Sequence, residues 1–384
     1  MSGLSFYLIA GEASGDKLGA ALMQGLKALH QDVTFHGVGG PLMEAEGLTS
    51  LFDMTELSIM GIAEVAPKYF HLKRRIKEVA QDALTKSPNA LITIDSPDFC
   101  LRVASLVKAE NPNLKTIHYV APSVWAWREN RADKMAKVID HVLALLPFEP
   151  PYMERAGMSC DFVGHPVVAE KTATDTEVQN FRAHHEILEH ETVVLALPGS
   201  RKGEVRRLAP RFGAALTQVA QDTPIRVVVP TVVNTHSLVE ELTSSWGCDP
   251  ILVPSLNKSA KAAAFGAADF ALAASGTVSL ELAANAVPMV IAYDMNWLSR
   301  IIISRALRID TVTLVNLVSE TRVVPEFLGP ACTSDAIYAA MHSLMEDPSQ
   351  QKEAMQLTMD RLGQGGEAPG LRAARSVLAQ VATS

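Results

Sequence analysis

The sequence predicts an α/β protein made of two doubly wound parallel sheets, one following the other along the chain. Three observations carry that expectation. Short runs rich in Val, Ile and Leu alternate with longer helical patterns, as in a parallel sheet fed by crossover helices. The alternation restarts after Gly164-His165-Pro166. The length, 384 residues, exceeds what one core ordinarily supports, so two domains of roughly 150–200 residues are expected.

In the first half the expected strands are LSFYLIA (4–10), DVTFHGV (32–38), ALITID (90–95), KTIHYVA (115–121) and DHVLALLP (140–147). Helical patterns separate them, among them DKLGAALMQGLKAL and one from about Phe99. In the second half the strands are TVVLALP (192–198), IRVVVP (225–230), PILVP (250–254), ADFALAA (268–274) and PMVIAY (288–293). A helix opens there at NTHSLVEEL. The halves share a layout but no sequence repeat. The expected organisation is a Rossmann-like domain over 1–166, a second over 190–345, and C-terminal helices over 346–384 that return to the first. Ligands are then expected in an interdomain cleft, outside the C-terminal ends of the strands.

Composition narrows the function classes. Apolar residues make up 48% and charged ones 20%, the balance of a well-buried globular chain. A net charge of −8 leaves no basic excess for a nucleic-acid binder. Cys100, Cys160, Cys248 and Cys332 lie far apart with no C-x-x-C pair, which suits a reducing compartment and neither a disulfide framework nor a zinc site. The N-terminus lacks a basic start and a long apolar run, so no signal peptide is expected. No stretch reads as a membrane span.

Nearly every motif falls at the end of an expected strand. AGEASGDKLGA (10–20) sets Gly11 and the next turn glycine, Gly15, four positions apart and puts Glu12 where a dinucleotide site needs glycine. Glu12, Ser14 and Asp16 instead suit a hydroxyl-rich ligand, against the alternative of a plain helix cap. IDSPDF (94–99) offers two carboxylates, Asp95 and Asp98, one of which could take a proton from an attacking hydroxyl. A helix start beside Pro97 explains the same residues about as well. APSVWAWREN (121–130) concentrates two tryptophans and an arginine, fitted either to a sugar face or to domain packing.

In the second half, LPGSRKGE (197–204) turns through Gly199 and Ser200 into a helix start whose free N–H groups attract an anion, with the Arg201 fork beside them. SGTVSLE (275–281) repeats the device: Ser275, Gly276 and Thr277 can donate to a phosphate. Glu281 is an acid within an apolar helix and needs a partner, for which a ribose diol would serve.

Taken together, AGEASGD, GVGGPLMEAEG, MGIAEV, DSPDF, PSVWAWR, LPGSR, SGTVSLE and the segment around Asn316 resemble the lipid-A-disaccharide synthase family, the family-19 glycosyltransferases. The resemblance runs from about residue 6 to the C-terminal helix. It implies a GT-B fold and an inverting reaction with no cofactor and no required metal. UDP-2,3-diacylglucosamine and 2,3-diacylglucosamine 1-phosphate (lipid X) would give a β(1→6)-linked disaccharide 1-phosphate and UDP. It further implies Asp98 as base, Arg201 as diphosphate ligand, Glu281 as nucleotide ligand and Asn316 as donor-site contact. Ser96 and Cys100 stand where the family typically has alanine and asparagine.

Acylated substrates direct attention to SIMGIAEVAPKYFHLKRRIKEVA (58–80), which interleaves apolar and basic residues in an acidic chain. Ile62, Val65 and Phe70 with Lys73, Arg74 and Arg75 are the expected contacts with an anionic membrane, against the alternative of an amphipathic helix docked on its own domain. The implied location is the inner face of the bacterial inner membrane, cytoplasmic and peripheral, with a homodimer left open. The alternative function is another GT-B UDP-sugar transferase or an epimerase, neither of which needs this stretch.

Overall fold

A computed structural model describes residues 3–57, 62–126, 130–254, 257–295 and 309–382, with backbone alone for 62–69. The chain divides into two compact units, Met1–Ala169 with Gly365–Ser384, and Glu170–Gln364.

The first unit runs β1 (Leu4–Ala10), α1 (Ala13–Leu29), β2 (Val33–Val38), α2 (Pro41–Ala45), β3 (Thr49–Ser50), α3 (Ile62–Lys86), β4 (Ala90–Ile94) and α4 (Pro97–Glu110). It continues through β5 (Lys115–Tyr119), α5 (Asn130–Met135), β6 (His141–Ala144), α6 (Pro150–Arg155) and β7 (Ser159–Phe162). Its seven strands are parallel in the order β3-β2-β1-β4-β5-β6-β7. Helices cover both faces, so the central strands are apolar along their length rather than alternating. All five residues of β4, for example, are buried.

The second unit runs α7 (Asp175–His184), β8 (Thr192–Leu197), α8 (Lys202–Asp222), β9 (Ile225–Thr231), α9 (His236–Thr243), β10 (Ile251–Pro254), α10 (Lys258–Gly266), β11 (Phe270–Ala273), α11 (Val278–Ala284) and β12 (Met289–Tyr293). The helix Leu314–Ser319, β13 (Glu326–Leu328) and helices Ser334–Glu346 and Ser349–Leu362 complete it. Its six strands are parallel in the order β10-β9-β8-β11-β12-β13. Both sheets therefore have the strand order of a Rossmann fold.

Ten strands lie where the apolar runs placed them. β3, β7 and β13, of two to four residues, are additional. All three sit at a sheet edge, where a strand pairs on one side only and needs no continuous apolar run.

The segment 346–384, expected to return to the first domain as a whole, divides. Helix Ser349–Leu362 packs against α11 and the helix Leu314–Ser319 in the second unit. Gln351 there exchanges two hydrogen bonds with the backbone of Met289. Helix Pro369–Ala382 packs on α1, and Ala373, Ala374 and Val377 join the first unit's core. Its Ser376 hydroxyl donates to Asp161 at 2.6 Å and lies 2.8 Å from His141 Nε2.

Candidate active site

Each sheet reverses its strand order once, between β1 and β4 in the first unit and between β8 and β11 in the second. The loops leaving those four strands are four of the five strand-end motifs of the sequence, the fifth following β5, so each unit presents candidate residues at a topological switch point.

In the first unit, Glu12 is the N-terminal cap residue of α1 and half-buried, and Ser14 is exposed. Gly11 touches the neighbouring loop: a Cβ there would fall 2.6 Å from Ser96 Oγ. Asp16 does not face a ligand. It is buried, and its carboxylate accepts the N–H groups of Gly40, Leu42 and Met43 at 2.9, 3.0 and 3.0 Å. A buried carboxylate at a helix start satisfies donors that the helix itself cannot.

The β4 loop is strained. Asp95 and Ser96 have φ of 51° and 45° in succession, a region costly for residues with a Cβ. Pro97 fixes the first turn of α4, and Asp98 stands exposed in that turn. Asp95 is half-buried, with its N–H donated to Tyr119 O at 2.9 Å. The structure thus separates the two carboxylates: Asp98 is open to solvent, and Asp95 is half-buried in the bend before it.

Trp125, in the loop after β5, is half-buried and already partnered. Its ring meets Phe148 edge-on at 5.2 Å, and its indole N–H donates to Glu149 at 3.3 Å. Trp127, Arg128 and Glu129 lie outside the described residues. Glu149 has no counterpart in the sequence reading, because a glutamate after a proline-rich turn gives no signal of burial.

In the second unit, Gly199 has φ of 114°, a conformation for glycine, and a Cβ there would meet Glu204 at 2.7 Å. Arg201 caps α8 with its side chain 66% exposed. It is held from below by Glu204, which is buried and accepts Arg201 N–H at 3.3 Å and Arg201 Nη1 at 2.8 Å. Tyr293, at the end of β12, donates to the same carboxylate at 3.2 Å, and burial followed by that negative charge raises its pKa. Ser200 is exposed beside this arrangement. Behind it Asp294 is buried and paired with Arg211 at 3.0 Å, while Arg207 donates to its carbonyl. Glu204, Tyr293 and Asp294 were missed in the sequence; only the three-residue spacing from Arg201 to Glu204 hinted at one of them.

Ser275 is half-buried, and Gly276 and Thr277 are exposed, in the loop before α11. Glu281 already has a partner, Lys261 of α10 at 2.6 Å, and its side chain is about a third exposed rather than buried. Asn316 differs more from expectation. It is buried, donates to Thr311 Oγ1 and Val324 O, and accepts Val324 N–H at 3.0 Å. With its amide engaged on both sides, it braces the segment 311–324 rather than standing open to a ligand.

On α3, Phe70 is 82% exposed, and Lys73 and Arg74 are exposed beside it. Arg75 is not part of that face. Its guanidinium forks onto Glu56 at 2.7 and 2.9 Å, reaches Glu78 at 2.8 Å and covers the Phe52 ring. Arg75 in turn holds the Glu56 carboxyl below the usual range. The side chains of Ile62 and Val65 lie outside the described residues. No helix among the described residues is long and apolar enough to cross a membrane.

Two Rossmann-like parallel sheets, each with its candidate residues in the loops at its switch point, define a GT-B fold. Solved structures share that fold at low identity. They include the S. aureus MnaA-UDP co-structure (TM-score 0.66, 13% identity, covering 100% of this chain and 98% of that one). The Acinetobacter baumannii MurG structure has TM-score 0.58 at 13% identity and full coverage of both chains. The chain belongs to the lipid-A-disaccharide synthetase family, whose model matches residues 6–380. The lipid-A-disaccharide synthase of Ruegeria pomeroyi is 62% identical over 379 residues, 97% of this chain and 94% of the relative. That of Rhodospirillum centenum is 45% identical over 383 residues, 98% and 95% of the two chains.

Proposed function

We propose that the chain is a lipid-A-disaccharide synthase, an inverting glycosyltransferase joining UDP-2,3-diacylglucosamine to 2,3-diacylglucosamine 1-phosphate. The observation that carries this reading is full-length identity of 62% to a relative of that name. In this reaction the acceptor 6-hydroxyl attacks the anomeric carbon of the donor. Its proton passes to Asp98, the bond from the anomeric carbon to the diphosphate breaks, and the electron pair leaves with UDP. An exposed carboxylate in the first turn of α4 can reach an incoming hydroxyl without paying for burial. Charge grows on the departing diphosphate, which suits the Arg201 guanidinium and the loop of Gly199 and Ser200. Ser275, Gly276, Thr277 and Glu281 offer hydroxyl, N–H and carboxylate groups to the nucleotide, with Glu12 and Ser14 toward the acceptor.

The acyl chains of both substrates require access from a lipid surface. Phe70, Lys73 and Arg74 supply an apolar and cationic face for an anionic one, at the inner side of the bacterial inner membrane. Incubation with UDP-diacylglucosamine and the diacylglucosamine 1-phosphate acceptor, followed by mass analysis, tests the whole reading. A disaccharide 1-phosphate is expected; release of UDP with no disaccharide, or epimerised donor alone, would replace it with the alternative.

A further inference from the structure

The C-terminal ends of β4, β5 and β6 lie side by side and are stitched together. Asp95 N–H donates to Tyr119 O at 2.9 Å, and Val120 N–H to Leu143 O at 3.0 Å. Val120 has φ of 85°, a conformation that a β-branched residue keeps only when its surroundings enforce it. The loop that starts from this strained residue is fastened at Trp125. Its fastening is Glu149, 4% exposed, whose Oε1 accepts the Trp125 indole N–H at 3.3 Å. Oε2 of the same carboxylate accepts Leu145 N–H at 3.1 Å and Leu146 N–H at 2.9 Å. One buried carboxylate therefore ties the β5 loop to the β6 loop, next to the loop that carries Asp98.

We infer that Glu149 is a positioning residue, holding Trp125 and the β5 loop in place beside Asp98. Its effect on turnover rests on the proposed function; its effect on Trp125 does not.

The groups around Glu149 leave its charge poorly compensated. Leu145, Leu146, Trp125 and Phe148 are neutral. From β7, Cys160 feels the Glu149 charge, and burial first and that charge second raise its thiol pKa, so it stays protonated. No lysine or arginine pairs with Glu149 among the described residues. Burial pushes its carboxyl up to about 7 against the pull of its three N–H partners. A proton on this carboxyl removes acceptor capacity, and the longest of the three bonds, that of Trp125, is the one to give way.

The test uses the full-length protein, with Glu149→Gln and Trp125→Phe as variants, followed by indole fluorescence between about pH 5 and 9. The emission component lost in Trp125→Phe is expected to titrate near pH 7 in the parent. In Glu149→Gln it should be pH-independent and resemble the parent's acid form. With donor and acceptor present, parental kcat/KM should rise through the same pH. In Glu149→Gln it should be flat and about tenfold below the parental alkaline value, with UDP affinity unchanged. Trp125→Phe checks the coupling without touching the buried carboxylate, and it too should lose the inflection. A fluorescence step near pH 7 that survives in Glu149→Gln would overturn the inference, as would parental kcat/KM in both variants. A parent that forms no disaccharide would sink the functional reading and leave the fluorescence result to decide this one.

Discussion

Asp98 and Arg201 are the residues whose removal has the clearest chemical reading. Asp98 is exposed and makes no contribution to the core, so Asp98→Asn should fold normally, bind UDP normally and lose about 10²–10⁴ in turnover. Near-parental turnover would transfer the base role to Asp95. At the other loop, Arg201→Ala should weaken UDP binding, and Arg201→Lys should restore it only in part, because a point charge cannot reproduce the guanidinium fork. Equal UDP affinity by calorimetry in all three proteins would remove Arg201 from the diphosphate. Glu204 adds a further comparison. It holds both the N–H and the side chain of Arg201 and packs under Gly199. Glu204→Gln should loosen the turn, lowering UDP affinity less than Arg201→Ala does, by about 3–10-fold.

At the scale of an element, α3 separates into two faces. Ile76, Val79, Ala80 and Ala83 are buried in the first unit's core, and Arg75 locks the helix to Glu56. Phe70, Lys73, Arg74 and Lys77 are exposed. Salt screens attraction between exposed charges and a lipid surface within ~8–10 Å, while apolar insertion is unaffected. Replacing Lys73, Arg74 and Lys77 by Ser should make binding to anionic vesicles weaker and less salt-sensitive. Phe70→Ser should reduce the part that persists at high salt. Co-sedimentation at two salt concentrations reads both; parental binding in both folded variants would make α3 a docking helix only. Arg75 is excluded from the set because its loss would free the helix from Glu56 and confuse unfolding with membrane release.

At the scale of the whole molecule, buried titratable groups set the pH dependence of stability. The folded-state pKa of Glu149 lies above its unfolded value of 4.5, at about 7. The proton is therefore bound more tightly in the folded chain. The stabilisation it brings is complete below about pH 4.5 and is lost as pH rises through 7, with a total on the order of 3 kcal/mol. His118, buried and bonded to Thr93, acts in the opposite direction: burial lowers it to about 4. Its folded form resists protonation, so stability is lost as pH falls below the ordinary histidine value. Chemical denaturation of the parent and Glu149→Gln should show the parent losing stability between about pH 5 and 8 while the variant does not. Parallel curves would mean that Glu149 titrates normally.

The two-sheet architecture, ten of the thirteen described strands and the strand-end loops with the candidate residues are legible in the order of residues. The reason is that a parallel sheet covered on both faces needs continuous apolar strands, and helix-opening turns need Gly, Pro, Ser and Asp at set positions. Those demands are local and leave marks in the order of residues. What each polar side chain touches is settled by packing in three dimensions. Asp16 turned inward to cap α2, Arg75 closed onto Glu56, Glu281 met Lys261 and Asn316 sank beneath its own loop. The structure also disclosed Glu149 and Glu204, carboxylates buried by neighbours far along the chain or folded back beneath a turn. A side chain's partner is fixed by which elements the fold brings together, and the energy that selects it, desolvation against hydrogen bonding, exists only once they have met.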